Sequence, residues 1–285
     1  MVHGTGKSKL LSLLVNNIYK NPEYKMKYKI VVIDPHSSLE EDIGGLESTK
    51  VIDFQTNKNS IDLFMNSKEN IVSESEVLLT LFKSLMDKEY NSKLERVLRH
   101  SIYLLIYIEK VSLKNLRDLI TESEFRNRII SKYKAVLPEP IINFFLKDFN
   151  DLKNKSHQEA ISPIISFVDE MTIFPVFNKN TKLESIEDIV KNNFLSIISL
   201  NEAIIGEKTT KTISGLVMGQ VFNLIQKKSI DEHIIFIIDE VAVVQNPIIK
   251  RFLSESRKYN LSLILSGQYF NQVDEDIQKQ YLQML

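Results

Sequence analysis

The chain has 285 residues, 43% hydrophobic and 26% charged, with 36 Lys plus Arg against 37 Asp plus Glu for a formal net charge of -1. That is globular composition with length for one large domain or two lobes, and near-neutral charge confines any nucleic-acid contact to a local surface. The lack of cysteine excludes disulfides, thiol nucleophiles, Cys-ligated zinc and iron–sulfur clusters; five scattered His residues offer little for a His-rich metal site, and no apolar run approaches the roughly 20 residues of a membrane span.

The first element is a motif, His3-Gly4-Thr5-Gly6-Lys7-Ser8, followed by Lys9 and a run with Leu10, Leu11, Leu14 and Val15 at helical spacing. It leaves no place for a signal-peptide pattern, and a cytoplasmic protein is the expectation. A polyphosphate needs many donors converging from one side; a Gly-rich turn exposes successive backbone N–H groups, and the helix behind it adds its positive end. Gly4, Thr5, Gly6, Lys7, Ser8 and Lys9 are therefore the candidate phosphate-binding residues. Lys7 reaches the β- and γ-phosphates and the Ser8 hydroxyl ligates Mg²⁺. In G-x-x-x-x-G-K-S the first glycine falls on Met1, and no apolar strand precedes the loop. We read this as a truncated or misplaced start, with the first strand missing, rather than as a different loop.

Beyond a helix ending near 21, Lys25, Lys27 and Lys29 alternate with Met26 and Tyr28 and read as a solvated approach to a strand. Five β-branched runs follow along the chain, at 29–34, 50–54, 194–200, 234–239 and 261–266. Several are continuously apolar, as parallel strands covered on both faces are. Helices are expected at about 210–227, with Lys227-Lys228 favouring its carboxyl end, and at about 248–259. Between about 66 and 182 the pattern is helical: Val77, Leu78, Leu81, Phe82 and Leu85 form one stripe, and Leu94, Val97, Leu98, Ile102 and Leu105 another. Ser112 and Ser123 read as N-caps, Pro138-Glu-Pro140 as a break before 141–146, and Ser162-Pro163 as a helix start. The organisation is an α/β core with an inserted all-α lobe: core residues 1–65, lobe 66–182, core 183–285. His100 and His157, in the lobe, receive no chemistry.

Two strand ends complete the candidate site. The run 234–239 ends in Asp239 with Glu240 behind it. Beside a phosphate-binding loop the first acid holds a water of the Mg²⁺ shell and the second polarises the attacking water. The next strand ends at Gly267-Gln268, where an amide can bridge the γ-phosphate or the lytic water. Tyr269-Phe270 could stack on a base, but buried packing is the better expectation.

The order HGTGKS, VVIDPHSSLE, IIFIIDE and SESRKYNLSLILSGQ resembles the HerA/FtsK-type P-loop ATPases. Within them it is most similar to the HerA-like and conjugative coupling (TraD/TraG, VirB4-like) branch of type IV secretion. The resemblance runs over nearly the whole chain and implies a RecA-like P-loop NTPase core with a parallel sheet, ATP and Mg²⁺ as cofactors, a hexameric ring with ATP sites between subunits, and DNA translocated through the pore. Residue by residue it assigns nucleotide binding to Lys7 and Ser8, Mg²⁺ coordination to Asp239, catalysis to Glu240 and a sensor role to Gln268. Arg257 resembles the arginine that acts across the subunit interface, and Asp34-Pro35-His36 the family's turn after its second strand. Ser37 departs from the glycine frequent in that turn, and the strands expected after the sensor are missing. The leading reading is an ATP-dependent DNA-translocating motor, cytoplasmic or held at the inner face of the membrane by conjugation or secretion machinery. A secretion ATPase powering protein export or pilus assembly is a second reading, and a truncated, non-catalytic nucleotide- or partner-binding module is a third.

Overall fold

A computed structural model describes residues 6–55, 61–64, 71–174, 177, 184–255 and 258–284. The chain divides into two compact units, Met1–Leu63 with Thr181–Leu285, and Phe64–Asn180.

The first unit is built on five parallel strands: β1 (Tyr28–Asp34), β2 (Thr49–Asp53), β5 (Leu195–Ser199), β6 (His233–Ile238) and β7 (Leu261–Leu265). Their spatial order is β2-β5-β1-β6-β7. A two-residue ladder, β3 (Ile61–Asp62) with β4 (Glu184–Ser185), lies apart from it and has no periodic signal in the sequence. The three central strands are buried along almost their whole length, whereas β2 and β7 are half-exposed edges. Burial on both faces is why β1, β5 and β6 carry unbroken β-branched runs rather than alternation. The fold is thus the RecA-like α/β class with a parallel sheet.

Helices cover the sheet on both sides. Leu11, Val15 and Ile18 of α1 (Lys7–Lys20) share a core with Ile43 of α3 (Glu40–Ile43) and with Ile30, Val32, Ile197, Ile235 and Ile237 of the sheet. Between β1 and α1 lies α2 (Pro22–Lys27). It occupies the segment that the alternating lysines suggested was a strand approach, because the Asn21 side chain accepts the Glu23 and Tyr24 N–H groups and Pro22 presets the first helical turn. After β5 come the short α11-preceded crossover α12 (Glu202–Ile205) and the 21-residue α13 (Glu207–Lys227); α11 itself is Ile186–Asn192. Almost all of α13 between Thr209 and Ile225 is buried, so it behaves as an interior helix rather than an amphipathic one. The core continues through α14 (Val241–Val244) and α15 (Pro247–Glu255). Phe236 of β6 stacks on Phe252 of α15 at 5.0 Å, and Phe252 meets Phe222 of α13 edge-on at 5.6 Å. The final helix is α16 (Glu275–Met284). Tyr269 is 64% exposed, correcting the expectation of buried packing, since the chain leaves β7 there along the surface.

The second unit is all-α: α4 (Ile71–Met86), α5 (Ser92–Tyr107), α6 (Leu113–Thr121), α7 (Ser123–Tyr133), α8 (Glu139–Asn143), α9 (Phe149–Lys155) and α10 (Ser162–Thr172). The two predicted stripes of α4 and α5 are buried, apart from the half-buried Leu85. Ser112 caps α6 by accepting the Asn115 N–H at 3.0 Å. Ser123 does not cap α7. Glu122 holds that position, and the Ser123 hydroxyl instead accepts a bond from the buried Arg126 guanidinium, which also donates to the Leu119 and Ile120 carbonyls that close α6. The Pro138-Glu-Pro140 break separates α7 from α8, with Pro138 as the N-cap and Pro140 in the first turn of α8, and the chain continues through a π-turn at Phe144–Asp148 into α9. Among the described residues no helix is long and apolar enough to cross a membrane.

His100 of α5 stacks on Phe144 at 4.0 Å, with Nδ1 2.7 Å from the Arg96 carbonyl. Burial, reinforced by the charges of Arg96 and Arg99, holds its pKa below the ordinary value. The unfolded chain therefore takes the proton first as pH falls, and stability present above about 6.5 is lost as pH drops through the ordinary and then the depressed value. The fall in melting temperature between pH 7 and pH 5 should accordingly be smaller in His100→Gln than in the parent chain, as followed by far-UV circular dichroism.

Candidate functional site

In a parallel sheet all strands end on the same side, and here the register brings their tips level. Asp34 pairs with Ser199, Ile33 with Ile238, and Ile238 with Leu265. The residues that follow, Asp34 on β1, Asp239 and Glu240 after β6, and Ser266 to Gln268 after β7, therefore converge at one end of the sheet. Ligands of open α/β sheets bind at that carboxyl end.

The start of α1 lies there too. Gly6 is its N-cap in the left-handed region at φ 73°, a conformation in which a side chain would be strained, and no side chain caps the helix. Lys7 and Ser8 form the first turn, both half-buried. The Ser8 hydroxyl donates to Asp239 Oδ2 at 2.8 Å across 231 positions of sequence. Ser38 Oγ approaches the same oxygen at 3.4 Å, and Ser266 Oγ donates to the other, Oδ1, at 2.8 Å. Asp239 is almost fully buried, and this set of hydroxyls hydrogen-bonds both of its carboxylate oxygens. Glu240 is also buried and sits at φ 50°, a strained conformation for a residue with a Cβ. Its Oε1 accepts the Gln268 backbone N–H at 3.1 Å. Gln268 thus reaches the acids through its main chain, and its side chain is exposed.

Asp34 makes the turn after β1. Its Oδ1 accepts the Ser38 N–H at 3.1 Å, and Oδ2 accepts those of Leu39 at 2.7 Å and Glu40 at 3.3 Å. Burial raises its pKa; the three N–H bonds oppose this, and the Asp239 charge adds to the rise. His36 in the turn is exposed. Ser37 adopts φ 58°, which explains why glycine would suit this place, and its hydroxyl receives bonds from Ser199 Oγ at 2.7 Å and Gln55 Nε2 at 3.0 Å. On α3, Asp42 ties back to α1, accepting Ser12 Oγ at 3.0 Å and Lys9 Nζ at 3.2 Å. The Ser12 bond, followed by Lys9, holds the Asp42 pKa below the ordinary carboxylate range. The Lys9 side chain is thereby committed to α3.

Lys7, Ser8, Asp239, Glu240 and the Gln268 backbone are brought to one end of the sheet. Gly4, Thr5 and Arg257 lie outside the described residues. Sequence reasoning missed Ser38, Ser266 and Asp42 and treated Asp34 as a turn residue. Ser38, Ser266 and Asp42 are short polar residues whose partners, Asp239 and Ser12, are distant in sequence, so only the assembled fold could have identified them.

No protein-family model matches the sequence, and neither does any curated protein. Solved structures do. The unbound bacterial conjugative coupling protein TrwB matches with a TM-score of 0.67 and 17% identity over 99% of this chain and 66% of that one. The plasmid coupling protein TrwB in complex with ADP and Mg²⁺ gives 0.68 and 16% over 98% and 66%. VirB4 of Thermoanaerobacter pseudethanolicus gives 0.54 and 12% over 98% and 96%. The structural neighbours are thus a coupling protein and VirB4, the branch that the motif order resembles; the HerA/FtsK description is broader. At these identities the likeness establishes the fold, and the chain spans 66% of the length of the coupling-protein chains.

Asp34→Ala removes the acceptor for three backbone N–H groups, one of them on the fully buried Leu39. A loss of about 2–3 kcal/mol is expected in urea unfolding, whereas substitution of the exposed His36 by Ala should leave the midpoint unchanged.

Proposed function

We propose that this chain is the nucleotide-hydrolysing core of a motor ATPase of the conjugative coupling type, acting on DNA. The observation that carries the reading is the 2.8 Å contact between Ser8 of the Gly-Lys-Ser turn and Asp239, with Glu240 beside it on the same strand end. A helix start with exposed donors, a lysine, a hydroxyl and two acids is the set that phosphoryl transfer requires.

The Ser8 hydroxyl and the Asp239 carboxylate are hard oxygen donors that fit Mg²⁺. They would hold it. When bound, Mg²⁺ neutralises charge on the phosphate oxygens. Lys7 and the backbone N–H groups of the α1 first turn bind the β- and γ-phosphates. Glu240 orients a water for in-line attack and takes up its proton; its Oε1 is fixed by the Gln268 N–H, which leaves Oε2 for the water. Gln268 is the sensor on the neighbouring strand tip. Arg257, two positions beyond α15, would stabilise the transition state of a neighbouring subunit, so that turnover depends on assembly of a hexameric ring. DNA is the cargo, and the conjugation or secretion machinery the wider partner. The coupling-protein fold, matched with ADP and Mg²⁺ in the TrwB complex, supports this reading. The likeness to VirB4, which spans 96% of that chain, favours a second reading in which the same chemistry powers protein export or pilus assembly.

Steady-state ATP hydrolysis with and without DNA tests the proposal. Turnover should rise with DNA. Glu240→Gln should lower kcat by about 10²–10⁴-fold while nucleotide still binds, and Lys7→Ala should lose both binding and turnover. Hydrolysis that persists in Glu240→Gln would refute the assigned base. ATPase activity indifferent to DNA would turn the reading toward export.

A further inference from the structure

Each of the two acids after β6 is held to the tip of β7 by one carboxylate oxygen. Ser266 Oγ donates to Asp239 Oδ1 at 2.8 Å, and the Gln268 N–H donates to Glu240 Oε1 at 3.1 Å. The backbone pairing continues past the regular ladder to support them: Ser266 N–H bonds the Ile238 carbonyl at 2.9 Å, and Val241 N–H bonds the Ser266 carbonyl at 2.7 Å. The two oxygens of Asp239 therefore do different work. Oδ2 faces Ser8 and Ser38, and Oδ1 faces into the protein, where Ser266 is 9% exposed and Asp239 4%. The terminal torsion of an aspartate is broad and nearly two-fold, so the carboxylate alone does not choose its orientation. A buried hydroxyl bonded to one oxygen fixes the plane of the carboxylate in advance, which is how outer partners orient and tune metal-binding carboxylates.

We propose that Ser266 is a positioning residue for the cation site, its hydroxyl fixing Asp239 so that Oδ2 is presented to the Ser8 side; this rests on the nucleotide-hydrolysing reading above. Ser266 acts through Asp239. Ser38, at the longer 3.4 Å and on the shared oxygen Oδ2, does not select between the two oxygens.

The test reads binding rather than turnover: equilibrium binding of a fluorescent ADP analogue, once in EDTA and once as Mg²⁺ is titrated in. In Ser266→Ala the Mg²⁺ concentration for half-maximal effect should rise about 10–100-fold, while binding in EDTA is unchanged. At nearly equal volume, Ser266→Val should show the same defect and Ser266→Thr should not, which keeps the comparison valid if alanine loosens the strand tip. In an Asp239→Ala background, Ser266→Ala should add nothing further. A Mg²⁺ midpoint unchanged in both Ser266→Ala and Ser266→Val, alongside a defect in Asp239→Ala, would overturn the positioning role and leave the hydrolytic reading standing. A parent chain that binds no nucleotide in a Lys7-dependent manner would overturn both.

Discussion

The register of β1 between β5 and β6 is the constraint on which the rest of the first unit depends. Parallel strands carry no turn to set their relative stagger, so the pairing is fixed by burial: slipping by one residue would exchange the two faces of every strand. Here both faces are apolar, and the polar residues at the tips supply the missing discrimination. Asp34 can be buried only where the N–H groups of the following turn reach it, and Asp239 only where Ser8, Ser38 and Ser266 do. The aromatic contact of Phe236 with Phe252 and the aliphatic core around Ile30 and Val32 hold the sheet between its two helix layers.

The same geometry concentrates negative charge. Asp34, Asp239 and Glu240 are all buried at one end of the sheet, an arrangement that would be unfavourable without compensation. Compensation comes from neutral donors: backbone N–H groups for Asp34 and Glu240, and hydroxyls for Asp239. Burial raises the Asp34 pKa against its three N–H donors, and the Asp239 charge adds to the rise. Backbone strain lies in the same region, at Ser37 and Glu240.

The helical unit is held by different means. Its stripes bury leucine, isoleucine and phenylalanine, and its irregularities sit where helices join. Arg126, stacked over Phe149 at 4.6 Å, satisfies the closing carbonyls of α6, while the Lys153 ammonium reaches the Thr121 carbonyl at 3.2 Å. Cations at a helix carboxyl end meet its negative pole and its unpaired carbonyls together. The two π-turns, at Phe144–Asp148 and His157–Ile161, widen the helices locally and let Phe144, Phe145 and Phe149 face a common interior.

Local pattern was sufficient for the main elements. The five strand runs, the helix after Gly6-Lys7-Ser8, the long helix ending at Lys227 and the stripes of α4 and α5 all follow from periodicity, because burying a continuous apolar surface leaves a direct trace in residue order. The motif residues Lys7, Ser8, Asp239 and Glu240 were legible for the same reason, as each adjoins a glycine turn or a strand end. Where the signal was competitive, the reading failed: Ser123 does not cap α7 because its hydroxyl accepts from Arg126, and α2 arose from a cap at Asn21 rather than from its own apolar pattern. What only the tertiary structure decided was which strand lies beside which. The order β2-β5-β1-β6-β7 places Ser266 against Asp239 and turns Gln268 toward Glu240 by its backbone. Hydrogen bonds between residues tens or hundreds of positions apart leave no periodic trace, since their energy depends on distances that the chain acquires only when the sheet is assembled.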